Sequence, residues 1–356
     1  MYNINILGKN TFAFSDSFTN FNYDSTENFD CDLFVTDGFH LVQSGRSEPV
    51  LNYEDLKTDK LIIFNYDKCN PIEQELFSSV REFLDGKDIK CLIISLHHIL
   101  DEKDLPTDFD YLSFDFFVFQ VVEHYSKLND IFDIFRDTLH YLRPKKFLSY
   151  NNIPHPHRTR LKEFLTTEDY MDDGWFSFEP RGENGLNIDY ISEFGTNHFT
   201  QINLGLYLTS YFSILTETIF SGDDIPTVKL TNKVFMTMKA FHPFFMMGQP
   251  KTLDYLRKSG FKTFEDFWDE DYDDEFDHEE RITKVLNSLG NILGGSCENI
   301  HRKIFGNGWN GSANEGEWTK LFNILKHNYL HLPIHAENQK QKVIDKINDF
   351  MGKEND

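Results

Sequence analysis

The sequence predicts an α/β protein made of two doubly wound domains that face a cleft. Three observations predict it. Short apolar runs alternate with helix-periodic segments through residues 1–143. A basic, proline-containing break, "LRPKK", follows at 142–146. A second strand–helix series then starts at "KFLSYNN" (146–152). A βαβ rhythm of this kind implies parallel sheets covered by helices. The expected organisation is a first α/β domain over 1–143, a second α/β domain over 144–300, and helices over 301–356 able to pack back on the first domain.

In the first half the expected strands are "INIL" (4–7), "DLFVTD" (32–37), "KLIIFN" (60–65) and "KCLIISL" (90–96). Each is a short apolar run closed by polar or turn residues. "PIEQELFSSVREFLDG" (71–86) has helical periodicity, with Pro71 suited to a first turn and Gly86 to a C-terminal stop. "FQVVEHYSKLNDIFDIFRDTLHY" (119–141) reads as one longer amphipathic helix. In the second half "HRTRLKEFLTT" follows the first strand, and "GWFSFEP" (174–180) is the next one. "LTSYFSILTET" (208–218) contains a strand that ends just before Glu217. A helix over 232–240, a strand "HPFFMM" (242–247) and a helix "TLDYLRKSG" (252–260) closed by Gly260 come next. Residues 279–293 and 315–330 read as helical, and "QKQKVIDKINDF" as a short terminal helix.

Composition excludes several classes. The chain has 356 residues, 40% of them hydrophobic, with 36 Phe and 15 Tyr, enough to fill sizeable cores. The formal charge of −23 disfavours an extended grip on a nucleic-acid backbone, though not a local basic cleft. Cys31, Cys69, Cys91 and Cys297 have no C-x-x-C spacing, so neither a zinc nor a redox motif is indicated. No run approaches the ~18 apolar residues of a membrane span, and "MYNINILGKN" lacks the basic start of a leader. The expectation is a cytoplasmic protein.

The most acidic stretch is "WDEDYDDEFDHEE" (268–280). Asp269, Asp271, Asp273, Glu275, Asp277 and Glu280 have the spacing of a calcium loop. The sixth position, which such a loop fills with Gly, is Asp274. A solvated acidic turn leading into a helix is the competing reading, because Glu279 and Glu280 suit a helix N-terminus. No metal is expected.

Two segments suit an anion. In "NNIPHPHRTRLKEFL" (151–165) a strand ends, a turn with two prolines follows, and Arg158 opens a helix. Exposed backbone N–H groups beside a guanidinium make an anion site, unless Arg158 simply pairs with a carboxylate. In the second segment Glu217 lies past a strand end, where it could accept ribose hydroxyls or serve as a structural cap. Thr231 is a helix N-cap candidate. Lys233 could meet a diphosphate or remain a solvated helix lysine.

The blocks "KFLSYNNIPHPHRTRLKEFL", "DDGWFSF", "SYFSILTETIF", "TNKVF" and "HPFFMMGQPKTLDYLRKSGFKTFEDFWDEDYDD" stand in one order over about 145–290. Together they resemble a group of phage and bacterial glycosyltransferases whose nucleotide-sugar half is fucosyltransferase-like. The resemblance implies two Rossmann-like domains of the GT-B type. It implies that Arg158 contacts the donor diphosphate and that Glu217 faces the nucleotide ribose. Thr231 and Lys233 match a Thr-Glu-Lys motif, with Asn232 replacing its Glu. Asn is no longer acceptor-only, which points to a different donor or weaker binding. The loop "MGQPKTL" (247–253), with Gly248, would lie near the donor sugar. The acidic stretch falls inside the pattern as a structural segment.

An inverting transfer needs a base for the acceptor proton, whereas a retaining one does not. Strand-end candidates in the first half are Asp37 in "VTDGFH", Asp16 in "FAFSDSF" and His97 in "SLHHIL". "ILGKN" has one Gly, so a dinucleotide fingerprint is absent. The expected activity is sugar transfer from a nucleotide-sugar to an acceptor hydroxyl, with the sugar nucleotide as co-substrate and no cofactor. The acceptor is a glycan or lipid-linked molecule, or else a hydroxymethylated DNA base flipped from its stack. A non-catalytic sugar-nucleotide binding protein is the third reading.

Overall fold

The computed structural model describes residues 4–6, 23–24, 33–37, 58–65, 73–124, 130–151, 154–178, 202–221, 226–306 and 315–352. Among the described residues are twelve strands and ten α-helices. The chain forms two compact units. The first comprises 1–116, 223–229 and 337–356, and the second 117–222 and 230–336. None of the described helices is long and apolar enough to cross a membrane.

The first unit contains β1 (Ile4–Ile6), β2 (Tyr23–Asp24), β3 (Leu33–Asp37), β4 (Lys60–Asn65), α1 (Glu73–Leu84), β5 (Lys90–Ser95), β6 (His98–Ile99) and β7 (Asp110–Ser113). Six strands form one parallel sheet in the order β2-β1-β3-β4-β5-β7. The winding reverses at β1, between β2 and β3, which is the doubly wound order. Parallel strands buried on both faces read as unbroken apolar runs. Accordingly Leu61, Ile62, Ile63 and Phe64 are all fully buried. The face carrying Leu61, Ile63, Cys91 and Ile93 packs against Leu76, Phe77 and Val80 of α1. Gly86 closes α1 at φ +71, a conformation that costs glycine little.

The second unit begins within α2 (Phe116–His124) and continues with α3 (Ile131–Thr138), β8 (Lys145–Asn151), α4 (Pro156–Thr167), β9 (Gly174–Phe178), α5 (Leu204–Leu208) and β10 (Ser210–Thr216). The short strand β11 (Thr227–Val228) belongs to the first unit and pairs antiparallel with β6. The second unit resumes with α6 (Asn232–Lys239), β12 (Phe244–Met247), α7 (Thr252–Lys258), α8 (His278–Leu293), α9 (Cys297–Phe305) and α10 (Glu315–Met351), of which residues from 337 belong to the first unit. Its sheet is parallel, in the order β12-β10-β8-β9. From β8 the chain adds β9 on one side and β10 and β12 on the other. The switch point therefore lies between β8 and β10, where open α/β sheets take their ligands.

Several details depart from expectation. The single helix expected over 119–141 is two helices, with Asp130 in the left-handed region (φ 68) just before α3. The two segments expected after 315 form one continuous helix with Pro333 inside it. Proline removes one helix hydrogen bond and costs about 3 kcal/mol. Buried Leu332, His335 and Ala336 on its flanks supply packing that offsets that cost. Helix α9 was not anticipated. It is capped by Ser296, whose hydroxyl accepts the Asn299 N–H.

Candidate functional site

The carboxyl ends of β8 and β10 are joined by side chains. The Thr216 hydroxyl donates to Asn151 Oδ1 at 2.5 Å, and Asn151 Nδ2 donates to Ser149 Oγ at 3.0 Å. Ser149 in turn donates to the Ile214 carbonyl. All four residues are buried. The switch point is thus a fixed polar floor.

Two helices begin beside that floor. Pro156 opens α4 with its φ already helical, and His155 is the N-cap residue, with no side-chain cap bond. Arg158, in the first turn and 3% exposed, sends Nη2 to the carbonyls of Thr216 and Glu217, both at 3.1 Å. His157 Nε2 donates to the same Glu217 carbonyl at 2.9 Å. Thr231 caps α6, accepting the Lys233 N–H on its hydroxyl oxygen. The Glu217 carboxylate holds Thr231 twice, accepting its hydroxyl at 2.6 Å and its backbone N–H at 3.3 Å. Lys233 Nζ donates to the Thr216 carbonyl, the oxygen that Arg158 also uses.

Electrostatically, Arg158 and Lys233 set the character of the cluster. Burial, then the Arg158 charge, bring Lys233 down to about 7 against the pull of Glu217. Burial lowers Arg158 to about 10. His157 falls to about 3 through burial and Arg158. His155 is lowered by burial, Arg158 and Lys233. Burial comes first each time, but Lys233, His155 and His157 also feel cationic neighbours. Glu217 is a carboxylate that acts on both Arg158 and Lys233, and it also accepts the Thr231 hydroxyl. Such a cluster at two helix N-termini is a place for an anion.

Arg158, Glu217, Thr231 and Lys233 therefore come together around the end of β10. Asn232 is the first residue of α6, with its amide against Met236 Sδ at 3.5 Å. Gly248 follows Met247, whose carbonyl accepts the Glu217 N–H at 2.9 Å. A Cβ at Gly248 would stand 2.9 Å from Thr252 Oγ1, so the loop needs glycine there to close onto α7. The base candidates belong to the first unit. Asp37 is the last residue of β3, beside the switch point of that sheet. Asp16 lies outside the described residues. His97 is buried, with its carbonyl accepting the Tyr111 hydroxyl and Nε2 lying 3.3 Å from Lys229 Nζ. Burial first, then the charge of Lys229, keep its pKa well below the usual value.

The acidic stretch is a set of backbone caps. Both Asp273 oxygens accept N–H groups at the start of α7, from Leu253 and Asp254, at 2.9 Å each. Glu270 accepts the Phe264 N–H and the Arg257 guanidinium. Asp269, Glu275 and Asp277 accept the N–H groups of Asp271, Asp277 and Glu280. Among the described residues no group of three or more His, Cys, Asp or Glu is arranged to hold a metal ion.

Sequence reasoning overlooked the floor formed by Ser149, Asn151 and Thr216. "FLSYNN" offered one signal, asparagines at a strand end before a helix-start turn. Comparison with known proteins adds little. No family model matches the chain. No curated protein matches it. Among solved structures it is similar to an alpha1,3-fucosyltransferase, with a TM-score of 0.41 and 12% identity over 92% of this chain and 89% of that one.

Proposed function

We propose that the protein is a glycosyltransferase that moves a sugar from a nucleotide-sugar donor to an acceptor hydroxyl. The observation that carries this reading is the cationic cluster of Arg158 and Lys233 at two helix N-termini, on the switch point of a parallel sheet. A diphosphate is the kind of anion that two cations at helix N-termini hold. The resemblance of residues 145–290 to nucleotide-sugar transferases supports the same reading.

In this proposal Arg158, Lys233 and the N–H groups opening α4 and α6 hold the diphosphate. Glu217 sets the start of α6 through Thr231, and each of its oxygens keeps a lone pair for a ribose hydroxyl. Asn232 and Gly248 lie at the sugar side. During transfer the bond from the sugar carbon to the phosphate oxygen breaks, and its electron pair leaves on the diphosphate. The protein cations stabilise that charge. The acceptor oxygen bonds the sugar carbon, and in an inverting reaction its proton passes to a base. Asp37, Asp16 and His97 are the residues proposed for that role. A glycan or lipid-linked acceptor is preferred, because a net charge of −23 opposes a polyanionic one.

The test is release of UDP, GDP or dTDP from the corresponding sugar nucleotides, and of CMP from CMP-sugars, with glycan acceptors and with hydroxymethylated DNA. Turnover with one donor class, reduced at least 100-fold in Lys233→Ala, supports the proposal. Binding without turnover under every acceptor overturns it in favour of a sugar-nucleotide binding protein.

A further inference from the structure

His155 holds a polar atom that the rest of the cluster leaves unused. Its ring stacks on His157 with centroids 5.9 Å apart and planes 8° apart. His157 in turn stacks on buried Phe220 at 5.2 Å and is pinned by its bond to the Glu217 carbonyl. The imidazole of His155 is therefore held in a fixed plane at the start of α4. As the N-cap residue it makes no side-chain cap bond. Its Nε2 is shut off from solvent and has no hydrogen-bond partner among the described residues. A buried nitrogen left so is costly, and a ligand atom that pairs with it recovers that cost.

The surroundings select the ligand atom. Arg158 and Lys233 both act on the ring, and His157 lies against it. Burial first, then the charges of Arg158 and Lys233, lower the pKa of His155 and so favour the neutral ring, which has one N–H to give. With a guanidinium and an ammonium both acting on the ring, an anionic oxygen is the acceptor that pairs with the nitrogen and is attracted by both cations. We propose that His155 is a third phosphate contact of the nucleotide-sugar site, its ring N–H donating to an oxygen of the donor diphosphate. The inference rests on the donor-site reading above and adds a residue that positions the diphosphate beside Arg158 and Lys233.

Calorimetric titration with inorganic pyrophosphate and with UDP and GDP tests it, on wild type, His155→Phe, His155→Gln and Lys233→Ala. Phe keeps a ring against His157 and removes the nitrogen. Gln places an N–H donor near the Nε2 position. The expected result is a loss of at least about tenfold in pyrophosphate affinity in His155→Phe, the usual worth of a hydrogen bond to a charged group. His155→Gln recovers most of it, and His155→Phe, free of the unpaired nitrogen, melts no lower than wild type. Wild-type affinity in His155→Phe, with binding lost in Lys233→Ala, overturns the inference and leaves the donor site standing. If wild type binds neither pyrophosphate nor any nucleotide, the donor-site reading itself fails and His155 with it.

Discussion

Replacing Asp273 by Ala tests the meaning of the acidic stretch. Asp273 is 4% exposed, and its two oxygens hold the N–H groups of Leu253 and Asp254, both at 2.9 Å. Leu253 is 1% exposed, so no water replaces the lost acceptor there. Losing a cap costs about 1 kcal/mol, and a buried N–H left unpaired about 1–3 kcal/mol more. Burying the carboxylate works the other way, and that desolvation is the main reason its pKa is raised. The net expectation is a loss of about 2–3 kcal/mol for Asp273→Ala and roughly half that for Asp273→Asn, which keeps one acceptor. In a domain of 150–250 residues this lowers the melting temperature by roughly 4–12 °C for Ala. The assay is thermal unfolding of the three proteins, each with excess calcium and with EDTA. The account expects the order wild type, Asn, Ala, unchanged by calcium. It is refuted if Asp273→Ala melts with wild type, or if calcium stabilises wild type by several degrees and the variant not at all.

Two further outcomes concern pH. Lys233 loses its proton near pH 7 in the free site, so diphosphate affinity should fall as pH rises above that value, by up to about tenfold per pH unit. Titrations from pH 6 to 9 should show this in wild type and a flat profile in Lys233→Arg; equal slopes would refute it. His157 and His242 are held at about 3 and His301 at about 4, chiefly by burial, whereas an unfolded histidine titrates near ~6.5. The unfolded chain binds more protons in the interval between, so stability present above ~6.5 is lost as pH falls toward 4, by up to about 1.4 kcal/mol per pH unit per histidine. Melting temperatures at pH 7, 5.5 and 4.5 check it. His242, whose Nε2–H donates to the Ser210 carbonyl while Nδ1 accepts the Ser213 hydroxyl, should give a shallower slope as Gln.

Strands such as 60–65 and 90–95 were legible because a parallel strand buried on both faces has no polar positions to interrupt its apolar run. The two halves of 119–141 share one periodicity, and no residue type announces the left-handed Asp130. Pro333 reads as a helix stop, yet tertiary packing overrides it. At the site, helix-start chemistry made Arg158, Thr231 and Lys233 visible, since caps and dipoles are local in sequence. From sequence Glu217 suits either a ribose acceptor or a structural cap. The structure shows it holding Thr231, a partner 14 residues away that no local pattern encodes. The significance of His155 lies in an unpaired nitrogen, a property that exists only once neighbours are placed.

The central claim is that Arg158 and Lys233 form a sugar-nucleotide site. A thermal-shift screen across UDP-, GDP-, CMP- and dTDP-sugars, with Arg158→Ala and Lys233→Ala beside wild type, tests it most directly. A ligand at 100 times its dissociation constant adds about 2.7 kcal/mol. The account predicts a rise in melting temperature with one nucleotide class, absent from both variants at temperatures where they remain folded. No rise with any class, or an equal rise in wild type and both variants, would contradict it.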